Sequence, residues 1–140
     1  MPRPSVVLDT NIVVSAQLRV DGLERFVLDL VLAGAIRLYL SHEILAEYTG
    51  VLRRAKFGIS TDLVANSLQI IRKAATFVRP DQILSIASDP DDNKFLACAE
   101  EAGADYLVTG NRRHFPNAWG RTRVVSAREL LEEIIPTLKT

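Results

Sequence analysis

The chain has 140 residues, 48% of them hydrophobic, which is enough for one domain with a buried core that needs no disulfide or structural metal. Lysine plus arginine and aspartate plus glutamate number 17 each, so the net charge of zero neither favours nor excludes a nucleic-acid partner. Cys98 is the single cysteine, which excludes a disulfide framework and a cysteine zinc site and favours a reducing, cytoplasmic location. We expect neither a signal peptide nor a membrane span, because no apolar run approaches the roughly 18 residues that a spanning helix needs.

The first half of the chain is predicted to alternate strands and helices. Residues 6–8 are apolar without alternation, which is typical of a strand buried on both faces in a mainly parallel sheet. A helix is expected over residues 11–16, with Asp9 or Thr10 near its N-cap. The pattern then predicts a helix over 23–33 before Gly34, a strand over 36–40, a helix from 42 to about 54 capped by Ser41, a helix over 63–75 and a short strand over 76–79.

The second half continues the same alternation. Residues 83–88 form a connector without a pattern of its own. A helix opens at Asp89-Pro90-Asp91-Asp92-Asn93 and ends at Gly103, and strands over 105–109 and 123–125 and a last helix over 127–135 follow it. Strands that alternate with helices predict an α/β sandwich with right-handed crossovers, and no linker divides residues 1–140 into two domains.

Acidic and amide side chains follow the predicted strands. Asp9 ends the first strand, Glu47 lies at the edge of the apolar stripe of the helix after the second, Asp91 or Asp92 precedes the fourth, and Asn111 follows it. Because the carboxyl ends of parallel strands share one edge, these groups are expected to converge. Carboxylates about 4 Å apart repel by roughly 1 to 4 kcal/mol, so they must share a proton or a cation. Oxygen ligands without a histidine cluster favour Mg²⁺ or Mn²⁺.

Each acid also has a purely structural interpretation. Asp89 is explained as an N-cap and needs no metal, whereas Asp92 lies three and four residues before apolar positions and is predicted to share the buried face of its helix. Asp9 is either an N-cap or a site residue, and Glu47 either joins the site or pairs with Arg54. Asn111 needs no ligand role, because it forms an ordinary turn pair with the glycine before it.

The segment from residue 110 to 125 is basic and carries no acid. We expect its arginines to form a basic face around the acidic site and to contact nucleic-acid phosphates. His114 is interpreted as structural rather than as a phosphate contact, and Phe115, Pro116 and Trp119 as anchors of a long loop rather than as stacking surfaces for bases. The arginines are Arg112, Arg113, Arg121 and Arg123.

Four short motifs, in this order, together resemble PIN domains. They are Val7-Leu8-Asp9-Thr10-Asn11 through Ser15, Glu47, the run Asp92-Asn93-Lys94-Phe95-Leu96-Ala97-Cys98-Ala99, and Leu107-Val108-Thr109-Gly110-Asn111 followed by His114-Phe115. The likeness covers nearly the whole chain and is greatest to the branch described as toxins of toxin-antitoxin pairs, which is related to the VapC-like ribonucleases.

The resemblance implies a fold, an activity and partners. The fold is a three-layer α/β/α sandwich with a central, mainly parallel sheet of about five strands, and the activity is that of a Mg²⁺- or Mn²⁺-dependent endoribonuclease. RNA is then the substrate, an antitoxin protein and a second copy of the chain are partners, and no membrane is involved. By position, the metal ligands are Asp9, Glu47 and Asp92, the supporting residues are Thr10, Asn11, Ser15, Asp91 and Thr109, and the fourth acidic position falls on Asn111, whose amide removes one negative charge.

Three other functions deserve comparison. A non-catalytic PIN-like module that binds a protein partner is consistent with Asn111 and with the zero net charge. A phosphoacceptor receiver domain requires a lysine after the fifth strand, where Val125-Ser126-Ala127 offers none. Dinucleotide or P-loop nucleotide binding is a weaker hypothesis still, because no two glycines have the spacing that these motifs require.

Overall fold

A single sheet lies at the centre of the computed structural model, which describes residues 3–81, 84–87 and 89–135. Within these ranges its strands are β1 (Ser5–Leu8), β2 (Arg37–Leu40), β3 (Thr76–Phe77), β4 (Tyr106–Val108), β5 (Ala118–Trp119) and β6 (Thr122–Val125). Their order is β3-β2-β1-β4-β6-β5, and every neighbouring pair is parallel except β5 and β6. The predicted parallel sheet is therefore confirmed, with one antiparallel edge strand that was not expected.

Helices flank the sheet on both faces, which confirms the predicted three-layer sandwich. They are α1 (Thr10–Leu18), α2 (Leu23–Leu32), α3 (His42–Leu52), α4 (Thr61–Ala74), α5 (Asn93–Ala102) and α6 (Ala127–Ile134). Helix α5 packs against β1, β2 and β4, whereas α1 packs against α2 and α3, and α6 contacts α2. None of the helices that the structure describes is long and apolar enough to cross a membrane.

The core explains why the helices begin and end where they do. Val6, Val7 and Leu8 are fully buried, as expected for a central strand covered on both faces. The side chains of Ser41, Ser60 and Ser126 accept hydrogen bonds from the first turns of α3, α4 and α6 and so fix where these helices start. The hydroxyl of Tyr48 on α3 donates a 2.5 Å hydrogen bond to the Leu8 carbonyl and ties that helix to the end of β1.

The start of the fifth helix differs from the prediction. Asp89 caps the backbone N–H of Asp91 as expected, but residues Pro90–Asp92 form a short 3₁₀ helix, and the α-helix begins only at Asn93. Asp92 therefore stands at the N-cap of α5 and not on its buried face, although only 17% of its side chain is exposed. The preceding connector lies partly outside the described residues, and Asn93 accepts hydrogen bonds from the Ile86 and Ala87 N–H groups within it.

The strand order places a crevice beside the first strand. The chain runs outward from β1 through β2 to β3 on one side, and it continues through β4 and β6 on the other. Parallel sheets bind ligands where the strand order reverses in this way, outside the carboxyl ends of the strands. Here that position lies between Asp9, directly after β1, and Thr109, directly after β4.

Candidate active site

Asp9 lies at the bottom of the crevice and is held by three donors. Its N–H continues the sheet through a 2.9 Å hydrogen bond to the Val108 carbonyl, which fixes the backbone. Its carboxylate accepts hydrogen bonds of 2.7 Å from the Thr10 N–H, 2.7 Å from the Thr109 hydroxyl and 3.3 Å from the Asn11 amide. Burial raises the pKa of Asp9, while the bonds from Thr109 and Thr10 act in the opposite direction.

Asn11 and Thr109 join the two strand ends across the crevice. The Asn11 side-chain oxygen accepts a 3.1 Å hydrogen bond from the Gly110 N–H, and the fully buried Thr109 hydroxyl accepts a 2.9 Å bond from the Asn111 N–H. Both side chains also donate to Asp9. The structure thus places Thr10, Asn11 and Thr109 around Asp9, where the resemblance to PIN domains expected supporting polar groups.

Glu47 reaches the crevice from α3. Its Oε2 accepts a hydrogen bond from the Thr10 hydroxyl, and its Oε1 accepts one of 2.6 Å from the Lys94 ammonium of α5. The alternative pairing with Arg54 is therefore wrong, because the side chain turns toward α5 instead of following its own helix. Both carboxylate oxygens of Glu47 are engaged in this structure.

Asp92 faces the same crevice from the start of α5. Burial raises its pKa from 3.8 to about 6, and the negative charges of Asp9, Asp89 and Glu47 add to the rise. His114 lies 3.4 Å from Asp92 Oδ2 through its Nδ1 and lowers the pKa in part. The carboxylates of Asp9 and Glu47 thus lie near enough to Asp92 for their negative charges to raise its pKa.

Three other predicted residues have weaker links to the acids. Ser15 is half-buried on α1, and its side chain makes no hydrogen bond to an acid within the described ranges. Asn111 is exposed and joins the network only through its backbone N–H. Asp91 is also exposed, and it is its backbone carbonyl, not its carboxylate, that accepts a hydrogen bond from Lys94.

The four arginines do not form one basic face around the acids, and that prediction is wrong. Arg121 pairs at 2.6 Å with Asp105, which precedes β4, and Arg123 stands opposite Tyr106 at the start of that strand. Both therefore lie at the amino-terminal edge of the sheet, because the β5–β6 hairpin returns the chain across it before β6 begins. Arg112 and Arg113, in contrast, follow β4 directly on the side of the acids.

The aromatic residues of the same segment anchor it to the core, as predicted. Phe115 is buried in the main hydrophobic cluster, and Trp119 packs against that cluster from β5. Arg112 forms a 3.0 Å ion pair with Glu129 of α6, whereas Arg113 is exposed and has no ion pair among the residues described. These contacts leave Arg113 as the free cation of this segment on the side of the acids.

A large groove lies away from the acids. It has a volume of about 1140 Å³ and opens at the amino-terminal edge of the sheet, where Arg121 pairs with Asp105 and Arg123 with Glu133. Size alone therefore does not locate the candidate site. Asp9 and Asp92 do, because burial raises the pKa of both carboxyl groups, and perturbed acids of this kind mark functional sites.

Sequence reasoning missed two residues of the site. Lys94 lies in one of the motifs that resemble PIN domains. Nothing in the sequence, however, indicates that it contacts Glu47, which lies 47 positions earlier. His114 was interpreted as structural, yet its ring faces Asp92. The motif in which His114 follows Asn111 by three residues was the one signal for this placement.

The donors at the crevice fit a hard divalent cation in their chemistry. Carboxylates and hydroxyl groups line it, and Mg²⁺ and Mn²⁺ prefer such oxygen ligands. Across the part of the chain that the structure describes, however, no three acid, histidine or cysteine side chains already stand close enough together to enclose an ion. Within the described ranges, neither Asp9 nor Asp92 forms an ion pair with a lysine or arginine, whereas Lys94 pairs with Glu47.

Comparisons with known proteins agree with this fold. Uncharacterized protein MJ1680 of Methanocaldococcus jannaschii is 30% identical over 112 residues, which cover 76% of this chain and 70% of that protein. The crystal structure of VapBC2 from Rickettsia felis, bound to a DNA fragment from their promoter, contains a similar chain with a TM-score of 0.57 and 20% identity. That likeness covers 87% of this chain and 97% of the other and concerns the fold. A family model described as PIN domain matches residues 5–113, and the chain therefore belongs to the PIN domain family.

Proposed function

We propose that this chain is a Mg²⁺- or Mn²⁺-dependent endoribonuclease and the toxin of a toxin-antitoxin pair. The observation that carries the proposal is that the negative charges of Asp9 and Glu47 raise the pKa of Asp92 beside the crevice between β1 and β4. Membership of the PIN domain family supports a nuclease of this kind. The similarity to a chain of the VapBC2 complex supports the toxin assignment through the shared fold.

The carboxylates of Asp9 and Asp92 would hold the divalent ion, with Glu47 beside them. When bound, the ion would supply an activated water and would neutralise charge that develops on the phosphoryl oxygens during in-line attack. Thr109 and Asn11 hold Asp9 in one orientation through their hydrogen bonds, so the carboxylate is positioned before an ion arrives. His114 Nδ1, at 3.4 Å from Asp92 Oδ2, would restrain that side chain in turn.

The RNA backbone would lie across the exposed rim of the crevice. Arg113 is exposed beside the acids and would contact a phosphate, and Arg112 would do so if it left Glu129. We do not expect Arg121 and Arg123 to contact this RNA, because each is paired with an acid at the opposite edge of the sheet.

A cleavage assay tests the proposal. A fluorescent single-stranded RNA is incubated with the protein over a Mn²⁺ titration, beside Asp9→Asn, Asp92→Asn and the exposed control Asp21→Asn. We expect the two site variants to lose at least about 100-fold in rate and the control to match the wild type. Cleavage that survives in Asp9→Asn and Asp92→Asn, or in excess chelator, would overturn the proposal, and a DNA strand of the same sequence tests the preference for RNA.

The second candidate function is a non-catalytic module that binds a protein partner. Two observations favour it: Lys94 forms an ion pair with Glu47, and no ready-made three-ligand cluster occurs in the described ranges. Isothermal titration with MnCl₂ separates the two functions. Saturable Mn²⁺ binding would eliminate the non-catalytic binding module. The absence of binding at millimolar Mn²⁺ would support that module.

The proposed partners follow from the toxin assignment. An antitoxin would cover the acidic crevice and block access of RNA, and co-expression with the product of the neighbouring gene should abolish cleavage. Self-association as a dimer remains a prediction, which light scattering of the purified protein would check. A cytoplasmic location likewise remains a prediction, which rests on the single cysteine, Cys98, and its free thiol.

A further inference from the structure

Lys94 is the one lysine that enters the acidic crevice in the part of the chain described. Its ammonium donates a 2.6 Å hydrogen bond to Glu47 Oε1 and a second hydrogen bond to the Asp91 carbonyl, and it lies 5.5 Å from the centre of the Phe95 ring. Only 17% of the side chain is exposed. Three neighbours therefore hold this cation in place, unlike a surface lysine that samples many rotamers.

The contacts of Glu47 leave it differently placed from the other two acids. Its second oxygen accepts a hydrogen bond from Thr10, so each oxygen already has a partner and its charge is balanced by Lys94. Among the described residues, Asp9 accepts hydrogen bonds from uncharged donors only, and His114 is the one side chain paired with Asp92. The uncompensated negative charge of the crevice is thus concentrated on two carboxylates.

Charge balance then limits what the crevice can accept. The three carboxylates and the Lys94 ammonium together sum to two negative charges, which one divalent ion neutralises. Asn111 adds no charge where the PIN resemblance places a fourth acid, and its side chain is exposed. A second divalent ion would lie close to the Lys94 ammonium. Two single like charges about 4 Å apart already repel by roughly 1 to 4 kcal/mol.

We propose that Lys94 is a built-in counter-cation of Glu47, so that the site binds a single divalent ion, held by Asp9 and Asp92, while Lys94 takes the place of a second ion. This inference rests on the proposed function. Lys94 is a positioning residue, because it acts on the ion and on the substrate phosphate through Glu47. Glu47 consequently contributes little to ion affinity as long as Lys94 is present.

The test is a double-mutant cycle on Mn²⁺ binding, measured by isothermal titration without RNA. Lys94→Met removes the charge and keeps the length of the side chain over Phe95, and Lys94→Arg keeps the charge. Lys73→Met, in the exposed last turn of α4, is the matched control. Urea unfolding of each variant establishes that it is folded before titration.

We expect one ion per chain in the wild type. Lys94→Met should bind Mn²⁺ about tenfold more tightly, since one like charge is removed, whereas Lys94→Arg and Lys73→Met should stay within about threefold of the wild type. Glu47→Gln alone should weaken Mn²⁺ binding by less than about threefold. In the Lys94→Met background it should weaken Mn²⁺ binding about tenfold, because the Glu47 carboxylate is then free to bind the ion. Asp92→Asn should weaken binding strongly in both backgrounds.

Several outcomes would overturn the inference, and they differ from failure of the proposed function. Two ions per wild-type chain, or a Lys94→Met variant that binds Mn²⁺ no more tightly than the wild type, would reject the counter-cation role and leave the nuclease proposal standing. If Lys94→Met did not fold, the single variants would decide. A loss of Mn²⁺ affinity in Glu47→Gln as large as the loss in Asp92→Asn, both with Lys94 present, would also reject the counter-cation role. No binding to the wild type or to any variant would reject both proposals.

Discussion

At the scale of single residues, Asp9 and Asp92 are acids in different environments. Asp9 is 6% exposed and has donors on both oxygens, so hydrogen bonds offset part of the cost of its burial. Asp92 has a histidine at one oxygen and a pKa raised to about 6 by burial and by neighbouring negative charge. The charged form of Asp92 is therefore unfavourable at neutral pH in the metal-free protein.

Replacing Asp92 by Asn should consequently stabilise the metal-free protein while abolishing activity. A carboxyl whose pKa is raised in the folded state costs stability above that pKa, and the cost disappears as the pH falls toward the ordinary value of 3.8. The gain should be about 1 to 2 kcal/mol at pH 7.5, allowing for solvent screening, and should shrink steadily below about pH 6. Urea denaturation in chelator measures it, and Asp21→Asn is the exposed control. A loss of stability at pH 7.5 would contradict the account of Asp92.

Thr109 provides a test of the network around Asp9. Thr109→Val keeps the shape but removes the donor to Asp9 and the acceptor for the Asn111 N–H, so we expect a stability loss of about 1 to 2 kcal/mol and at least about tenfold weaker Mn²⁺ binding. The hydroxyl of Thr122 is equally buried and donates to the Ala104 carbonyl at the opposite edge. Thr122→Val should therefore lose similar stability with unchanged Mn²⁺ binding, and equal ion affinity in both variants would rule out the positioning role of Thr109.

The sequence predicted part of this site for a clear physical reason. An apolar run that stops on Asp9 indicates a buried strand and the edge at which the acid lies, and strand four places Thr109 beside it by the same logic. The pairing of Glu47 with Lys94 could not be predicted, because it depends on how α3 and α5 pack against the sheet and not on any local pattern. The placement of His114 depends similarly on the path of the loop after β4.

At the scale of secondary structure elements, α3 is the helix whose position decides whether Glu47 reaches the crevice. Tyr48 is fully buried, and its hydroxyl bonds the carbonyl of Leu8, one residue before Asp9. Glu47 precedes Tyr48 on the same helix, and its carboxylate accepts a hydrogen bond from the Thr10 hydroxyl. One buried hydrogen bond thus fixes the distance between the helix that carries Glu47 and the strand that carries Asp9.

Tyr48→Phe should reveal this role. The change leaves the Leu8 carbonyl without its side-chain partner, so we expect a loss of about 1 to 2 kcal/mol in the free energy of unfolding, measured by urea denaturation. Tyr39→Phe on β2 is the control, because the Tyr39 hydroxyl has no hydrogen bond within the described ranges and should cost little. Equal stability of both variants would mean that the Tyr48 bond contributes nothing to docking of α3.

The elements were predictable where their patterns were long. The helices and the parallel strands appear close to their expected bounds, since each has several apolar positions at the right spacing. The two-residue strand β5 was missed, because Ala118–Trp119 is too short to show alternation. Gly120, with a φ of 59° in the turn before β6, was the one local signal of the hairpin. Missing that hairpin is what placed Arg121 and Arg123 on the wrong edge.

At the scale of the whole molecule, a net charge of zero conceals two different edges of the sheet. The carboxyl-terminal edge has the repelling acids with Arg112 and Arg113 nearby, and the amino-terminal edge has arginines paired with Asp105 and Glu133. RNA bound at the acids should therefore depend on the first pair of arginines and not on the second.

RNA affinity of arginine variants tests this arrangement. In chelator, which prevents cleavage, Arg113→Ala should weaken binding of a fluorescent RNA and reduce the slope of affinity against salt concentration by about one. Arg121→Ala should match the wild type at every salt concentration, since that side chain lies at the other edge. Fluorescence anisotropy measures both, and a larger effect of Arg121 than of Arg113 would place the RNA elsewhere.

The most direct measurement is the location of Mn²⁺ in a crystal of the protein by anomalous scattering at the manganese edge. A bound ion should give one peak in the crevice between β1 and β4, with oxygens of Asp9 and Asp92 about 2.1 to 2.3 Å away and Lys94 still at Glu47. Two results from a crystal soaked to saturation with Mn²⁺ would contradict the claim that these acids share a divalent ion. One is the absence of an anomalous peak in the crevice, and the other is a peak only elsewhere on the molecule.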